Sequence, residues 1–181
     1  MKKSLLAMLF LLTLVLPVFA NDKGSTEADV KLSIGLNPTI KFGDESRDFN
    51  TSFGFGGDVF YYVDPAVALG LGLMYTFDTG MKENSDFKAG FTNIYFAVKP
   101  KIALESEIFS CVYFLGQLGY GMPRASETDN LKGGIYWGIG AGTEIKSFIF
   151  EVVYGSSTGE NFGDSFTLSS INLNVGYKFI I

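Results

Sequence analysis

The sequence predicts an all-β fold, an eight-stranded antiparallel up-and-down barrel whose strands cross a membrane. Three observations predict it. Eight segments alternate apolar and polar side chains with a period of two, the repeat of a strand with two unlike faces. The connections between them alternate between short and long. The large apolar residues gather on one face of each segment, while the other face is small or uncharged.

The chain begins with Lys2 and Lys3, an apolar run from Ser4 to Leu16, a break at Pro17 and the small-residue approach Val18-Phe19-Ala20. This is the layout of a secretory signal peptide over residues 1–20, cut after Ala20. The run is shorter than the roughly 20 residues of a spanning helix. Residues 21–181 then form one domain. Without Lys2 and Lys3 the balance is 12 basic to 19 acidic residues, a charge of −7. The absence of a basic stripe argues against nucleic acid as a partner. Cys111 is the single cysteine, so no intrachain disulfide is available to an exported chain, and it reads as a small strand residue.

The first strand is predicted near 28–37, with Val30, Leu32, Ile34 and Leu36 on its apolar face. The second, near 50–63, carries Phe53, Phe55, Val59, Tyr61 and Val63, and the third, near 66–77, carries Leu69, Leu71, Leu73, Tyr75 and Phe77. The fourth lies near 91–102 (Ile94, Phe96, Val98), the fifth near 108–121 (Phe114, Leu118, Tyr120) and the sixth near 134–145 (Ile135, Trp137, Ile139). The seventh, near 148–155, has Phe148, Phe150, Val152 and Tyr154. The eighth, near 166–181, ends INLNVGYKFII and is expected to close the barrel against the first. Asp64-Pro65, Leu104-Glu105-Ser106 and Lys146-Ser147 read as short turns, and 38–49, 78–90, 122–133 and 156–165 as long polar loops. Three short turns, four long loops and an even strand count are the plan of an outer-membrane barrel.

The second face explains why the first must meet lipid. It holds Ser33, Gly35, Ser52, Gly54, Gly70, Gly72, Asn93, Tyr95, Tyr113, Gln117, Tyr136, Gly138, Gly140, Asn172 and Asn174. A soluble barrel would place charges on such a face, whereas the narrow interior of an eight-stranded barrel suits small side chains. Aromatics also sort by height. Tyr75, Phe77, Tyr120, Trp137 and Tyr154 fall near the loop ends, and Tyr61, Phe148, Phe150, Tyr177 and Phe179 near the turn ends, as interface belts do.

The inward face carries few charges: Lys31, Asp58, Lys99, Lys101, Glu144, Glu151 and Lys178, all in the half nearer the short turns. Charges in a narrow interior are costly unless paired. The expectation is a paired lumen network, with Asp58 beside Lys31 and Glu151 beside Lys178, that fills and registers the barrel. The functional alternative is an ion path through a small wet lumen.

The stretches YFLGQLGYG (113–121), GIGAGTEI (138–145), FEVVY (150–154) and NVGYKF (174–179) resemble strand motifs of small bacterial outer-membrane barrels, the β-barrel domain family that includes OmpX-like and OmpA-transmembrane-like proteins. The resemblance spans essentially the whole mature chain. It implies a Gram-negative-type outer membrane with its lipid and lipopolysaccharide as surroundings and insertion by the barrel-assembly machinery. It further implies a role in envelope integrity, adhesion or defence, with no catalytic residues. Members commonly end on an aromatic residue. Here Ile180 and Ile181 follow Phe179, so either Phe179 or Ile181 serves as the assembly signal.

The chain has no His. That excludes Ser-His-Asp machinery and Cys/His metal sites, and the expectation is no enzyme, no cofactor and no metal. Gly138-Ile139-Gly140-Ala141-Gly142 lies inside a strand, so it lacks the helix start a dinucleotide loop needs. The loop acids (Asp44, Glu45, Asp48; Glu83, Asp86; Glu127, Asp129; Glu160, Asp164) read as solvating groups without EF-hand spacing. The reading is therefore a monomer with a structural or adhesive surface role, taking a host or surface ligand at its loops. A narrow porin-like channel or small-solute transporter is the alternative, and a soluble lipocalin-like binder a third.

Overall fold

The protein is described here by a computed structural model covering residues 23–82, 88–104, 111–125 and 131–181. The predicted signal peptide, the turn residues Glu105 and Ser106, and the loop acids Glu83, Asp86, Glu127 and Asp129 lie outside the described residues.

Eight long strands form the wall: β1 (Thr26–Phe42), β2 (Ser52–Asp64), β3 (Val67–Thr76), β4 (Lys88–Ala103), β5 (Cys111–Ala125), β6 (Leu131–Ile145), β7 (Phe148–Asn161) and β8 (Asp164–Ile180). Each pairs antiparallel with the next. β8 returns to β1, from Glu27 opposite Ile180 to Phe42 opposite Phe166, and closes the sheet. Two short strands, Glu45–Asp48 and Thr79–Gly80, extend β1 and β4 at the loop end.

The side-chain period of two decides what each face meets. Leu32, Phe53, Leu71, Phe96, Leu118, Ile139, Val152 and Val175 are exposed on the outer surface. An apolar exterior of this extent is stable only in lipid, which rules out the soluble binder. The aromatics pack in pairs at two heights. Tyr75 and Phe77 (5.5 Å) and Trp137 and Tyr154 (5.5 Å) stand toward the loops, and Phe148 and Tyr177 (5.5 Å) toward the turns.

The strands are longer at the loop end than the sequence indicates. Residues 38–49 and 156–165 are mainly paired strand, and β7 turns into β8 through two residues, Phe162 and Gly163, with φ of 51° and 95°. Positive φ at both positions matches the twist of a two-residue hairpin. The alternation fades there because neither face of these hydroxyl-rich extensions touches lipid. A register shift between Leu36 and Thr39, with Asn37 at φ 45°, turns Ile40 inward.

The interior is also less uniformly small than expected. Phe60, Tyr62, Leu115, Ile149 and Val153 point inward beside Tyr95, Tyr113 and Tyr136, the three tyrosines the sequence already places on that face. Glycines on the neighbouring strand make the room. A Cβ on Gly70 would lie 2.5 Å from the Phe60 ring, and one on Gly142 would lie 2.5 Å from the Tyr113 ring. On Gly72 it would collide with the Asp58 carboxylate and the Tyr95 ring. Gly72→Ala is expected to cost about 1–3 kcal/mol by overpacking, read as a lower urea midpoint. An unchanged midpoint would refute this account of the fit.

Candidate functional site

The lumen is the candidate site, and three layers stack in it from the turn end outward. The lowest is a charge network. β1 contributes Glu27, Asp29 and Lys31, spaced by two so that all face inward. β2 adds Asp58, β4 Lys99 and Lys101, β6 Glu144, β7 Glu151 and β8 Lys178. Five carboxylates and four ammonium groups are buried together.

Two nodes organise them. In one, Lys31 Nζ bonds Glu151 Oε1 at 2.7 Å, pairs with Asp58 and lies 4.0 Å from Asp29. Glu151 also accepts from Tyr113 Oη (3.0 Å) and Asn174 Nδ2 (3.1 Å). In the other, Lys99 Nζ reaches Glu27 (2.5 Å), Asp29 (3.4 Å) and Glu144 (3.2 Å). Lys101 bridges Glu27 (3.1 Å) and Glu144 (2.7 Å), and Lys178 pairs with Glu144. Tyr62 Oη donates to Glu27 at 2.6 Å. Lys99 lies 4.4 Å from the Tyr113 ring centroid and Lys101 lies 4.7 Å from that of Tyr62, a favourable setting for buried cations. Asp29 joins the nodes by facing both Lys31 and Lys99. Buried charges persist only when paired and hydrogen-bonded from several sides; Lys31, Lys99, Lys101, Glu27, Glu144 and Glu151 are each met from several strands, whereas Asp58 relies on Lys31.

The top layer is apolar. Ile40, Phe49, Met81, Phe91 and Phe166 are buried together above the middle of the barrel. Phe49 and Met81 come from two different loops and are tied by a β-bridge, and Phe91 meets Phe166 edge-on at 6.3 Å.

Between the layers lies a cavity of about 50 Å³. Asn93, Gln117, Asn172, Asn174, Tyr95, Tyr136 and Met74 line its lower wall, and Phe49, Phe91 and Leu168 line its upper wall. Among the described residues, no charged side chain lines it. Among the described residues, no group of His, Cys, Asp or Glu is arranged to hold a metal ion.

The outer membrane protein beta-barrel domain family matches residues 6–179. The chain belongs to this family. Its place is the bacterial outer membrane, where its strands cross the lipid. Solved structures of other outer-membrane proteins share the architecture. Ail, the attachment invasion locus protein of Yersinia pestis, aligns over 87% of this chain and 99% of its own at 16% identity and a TM-score of 0.52. Neisserial surface protein A aligns over 85% and 97% at 9% identity and a TM-score of 0.57. A second Ail structure, in complex with the heparin analogue sucrose octasulfate, aligns over 85% and 99% at 14% identity and a TM-score of 0.50. At these identities the likeness is one of fold. No curated protein sequence matches the chain.

In this outer-membrane barrel the seven charges singled out from the sequence all face the lumen. Lys31 and Asp58 meet directly. Glu151 and Lys178 are not neighbours: Glu151 stands opposite Asn174, four residues along β8, and Lys178 pairs with Glu144 instead. Cross-strand register, which alternation does not carry, sets this. The sequence expectation leaves out Glu27, which precedes a first strand begun near 28, and Asp29, which lies within that strand. Their signal was present, since both share the parity of Lys31.

Proposed function

We propose that this protein is a closed, non-conducting outer-membrane barrel whose work is done at its outer surface, in adhesion or envelope integrity, through the four loop-end connections. The observation that carries this reading is the double closure of the lumen, by the charge network below and the apolar cluster above. A continuous aqueous path would have to break both. The outward extensions of β1, β7 and β8 support the surface role. They raise paired strands past the lipid-facing band and present Phe162 at a hairpin tip with 76% of its surface exposed. The barrel stands as a monomer among outer-membrane lipid and lipopolysaccharide, placed there by the assembly machinery. No acid–base centre is assigned to it.

Planar-bilayer recording of the refolded protein tests the closure. The expected result is no stable single-channel conductance. A stable conductance that changes in Glu151→Gln would make the lumen a pore. Replacing residues 158–167 with a two-residue turn tests the surface role. Cell adherence should fall while the barrel stays folded, and unchanged adherence for this and the three other loops would overturn it.

A further inference from the structure

We propose that the charge network carries one bound proton at neutral pH, and that Asp29 holds it as a neutral carboxylic acid where the two nodes join. Among the described residues, five carboxyl groups (Glu27, Asp29, Asp58, Glu144 and Glu151) share the lower lumen with four ammonium groups (Lys31, Lys99, Lys101 and Lys178). Fully ionised, the set would hold one negative charge with no counterpart. All of these groups are at most 9% exposed, and the wall around them turns lipid-facing side chains such as Val30 and Val59 outward. An uncompensated charge in such a place is costly, and an acid there takes up a proton instead.

The contacts single out which acid. Glu27 meets Lys99 (2.5 Å), Lys101 (3.1 Å) and the Tyr62 hydroxyl (2.6 Å). Glu144 meets Lys99, Lys101 and Lys178, and Glu151 meets Lys31, Tyr113 and Asn174. Asp58 has Lys31 in direct contact. Asp29 has no ammonium of its own. Lys99 lies 3.4 Å from it and closer to Glu27 and Glu144, and Lys31 lies 4.0 Å from it, engaged by Asp58 and Glu151. Lys178, opposite Asp29 on β8, turns to Glu144. Both nearby cations reach the same oxygen of Asp29, Oδ2, while Oδ1 is buried with no hydrogen-bond partner. Asp58 stands directly opposite Asp29 in the β1–β2 register. Side chains so placed lie within reach of each other, and like charges there repel. A proton on Asp29 Oδ1, taken from water as the barrel closes, ends that repulsion and brings the network to zero charge. It also makes the unpartnered oxygen a donor among carboxylates. This assignment holds whatever the loops bind.

Carbon NMR of the isotope-labelled, refolded mature protein in detergent at neutral pH tests the site. The side-chain carboxyl carbon of each aspartate, assigned through its own backbone, reports whether that group is an acid or a carboxylate. The expected result is Asp29 at the position of an acid and Asp58 at that of a carboxylate. Asp29→Asn exchanges one neutral group for another of the same shape, so the urea midpoint should stay where it is. A carboxylate signal from Asp29 would overturn the proposal, as would an acid signal from Asp58 in its place. So would a clear fall of the midpoint in Asp29→Asn. The wild-type spectrum decides the matter alone if that variant refolds poorly.

Discussion

Lys31→Met should lower the unfolding free energy by about 3–5 kcal/mol, the cost of leaving buried countercharges without their partner. Lys31 is 1% exposed and serves two carboxylates at once, Glu151 at 2.7 Å and Asp58. Removing it leaves both facing an apolar side chain inside the barrel. Glu151 retains its bonds from Tyr113 and Asn174, so the larger share of the loss falls on Asp58. The same physics gives a rescue. Lys31→Met combined with Asp58→Asn and Glu151→Gln removes the charges together and should recover most of the loss, because replacing a whole buried ionic group is often neutral. Urea unfolding in detergent, followed by the fluorescence of the single tryptophan, Trp137, reads both. A loss below about 1 kcal/mol in Lys31→Met would mean that the network contributes little to holding the barrel.

Phe96→Arg should cost about 2–4 kcal/mol, the penalty for a cation at the lipid midplane of a barrel. Phe96 is 72% exposed, on the outer face between Leu71 and Leu118, far from either aromatic belt. The control is Thr167→Arg. Thr167 lies on β8 beyond Ile171, in the part that rises past the lipid band, and there the cost should fall to about 0–1 kcal/mol. Equal losses at the two positions would place the membrane elsewhere on the barrel. The depth dependence carries the argument, since a soluble protein would show none.

The wall was legible in the sequence because strand alternation is a local property. Leu69, Leu71 and Leu73, or Leu173 and Val175, declare their face without reference to any partner strand, and the structure exposes all of them. The eight strands and the two aromatic belts follow from the same pattern. The strand ends did not. Beyond Leu36 and before Ile171 the lipid no longer selects apolar residues, so paired strand and polar loop look alike.

The chain by itself determined the fold class, the lipid-facing surface and a lumen that holds Lys31, Asp58, Lys99, Lys101, Glu144, Glu151 and Lys178. Each depends on residue type and parity, which are written along one strand. Only the tertiary structure decided which charges meet, that Glu27 and Asp29 complete the network, and that Phe49 and Met81 fold together over the mouth. Those outcomes depend on register between strands and on the meeting of residues far apart in the chain, and barrel closure is what sets both.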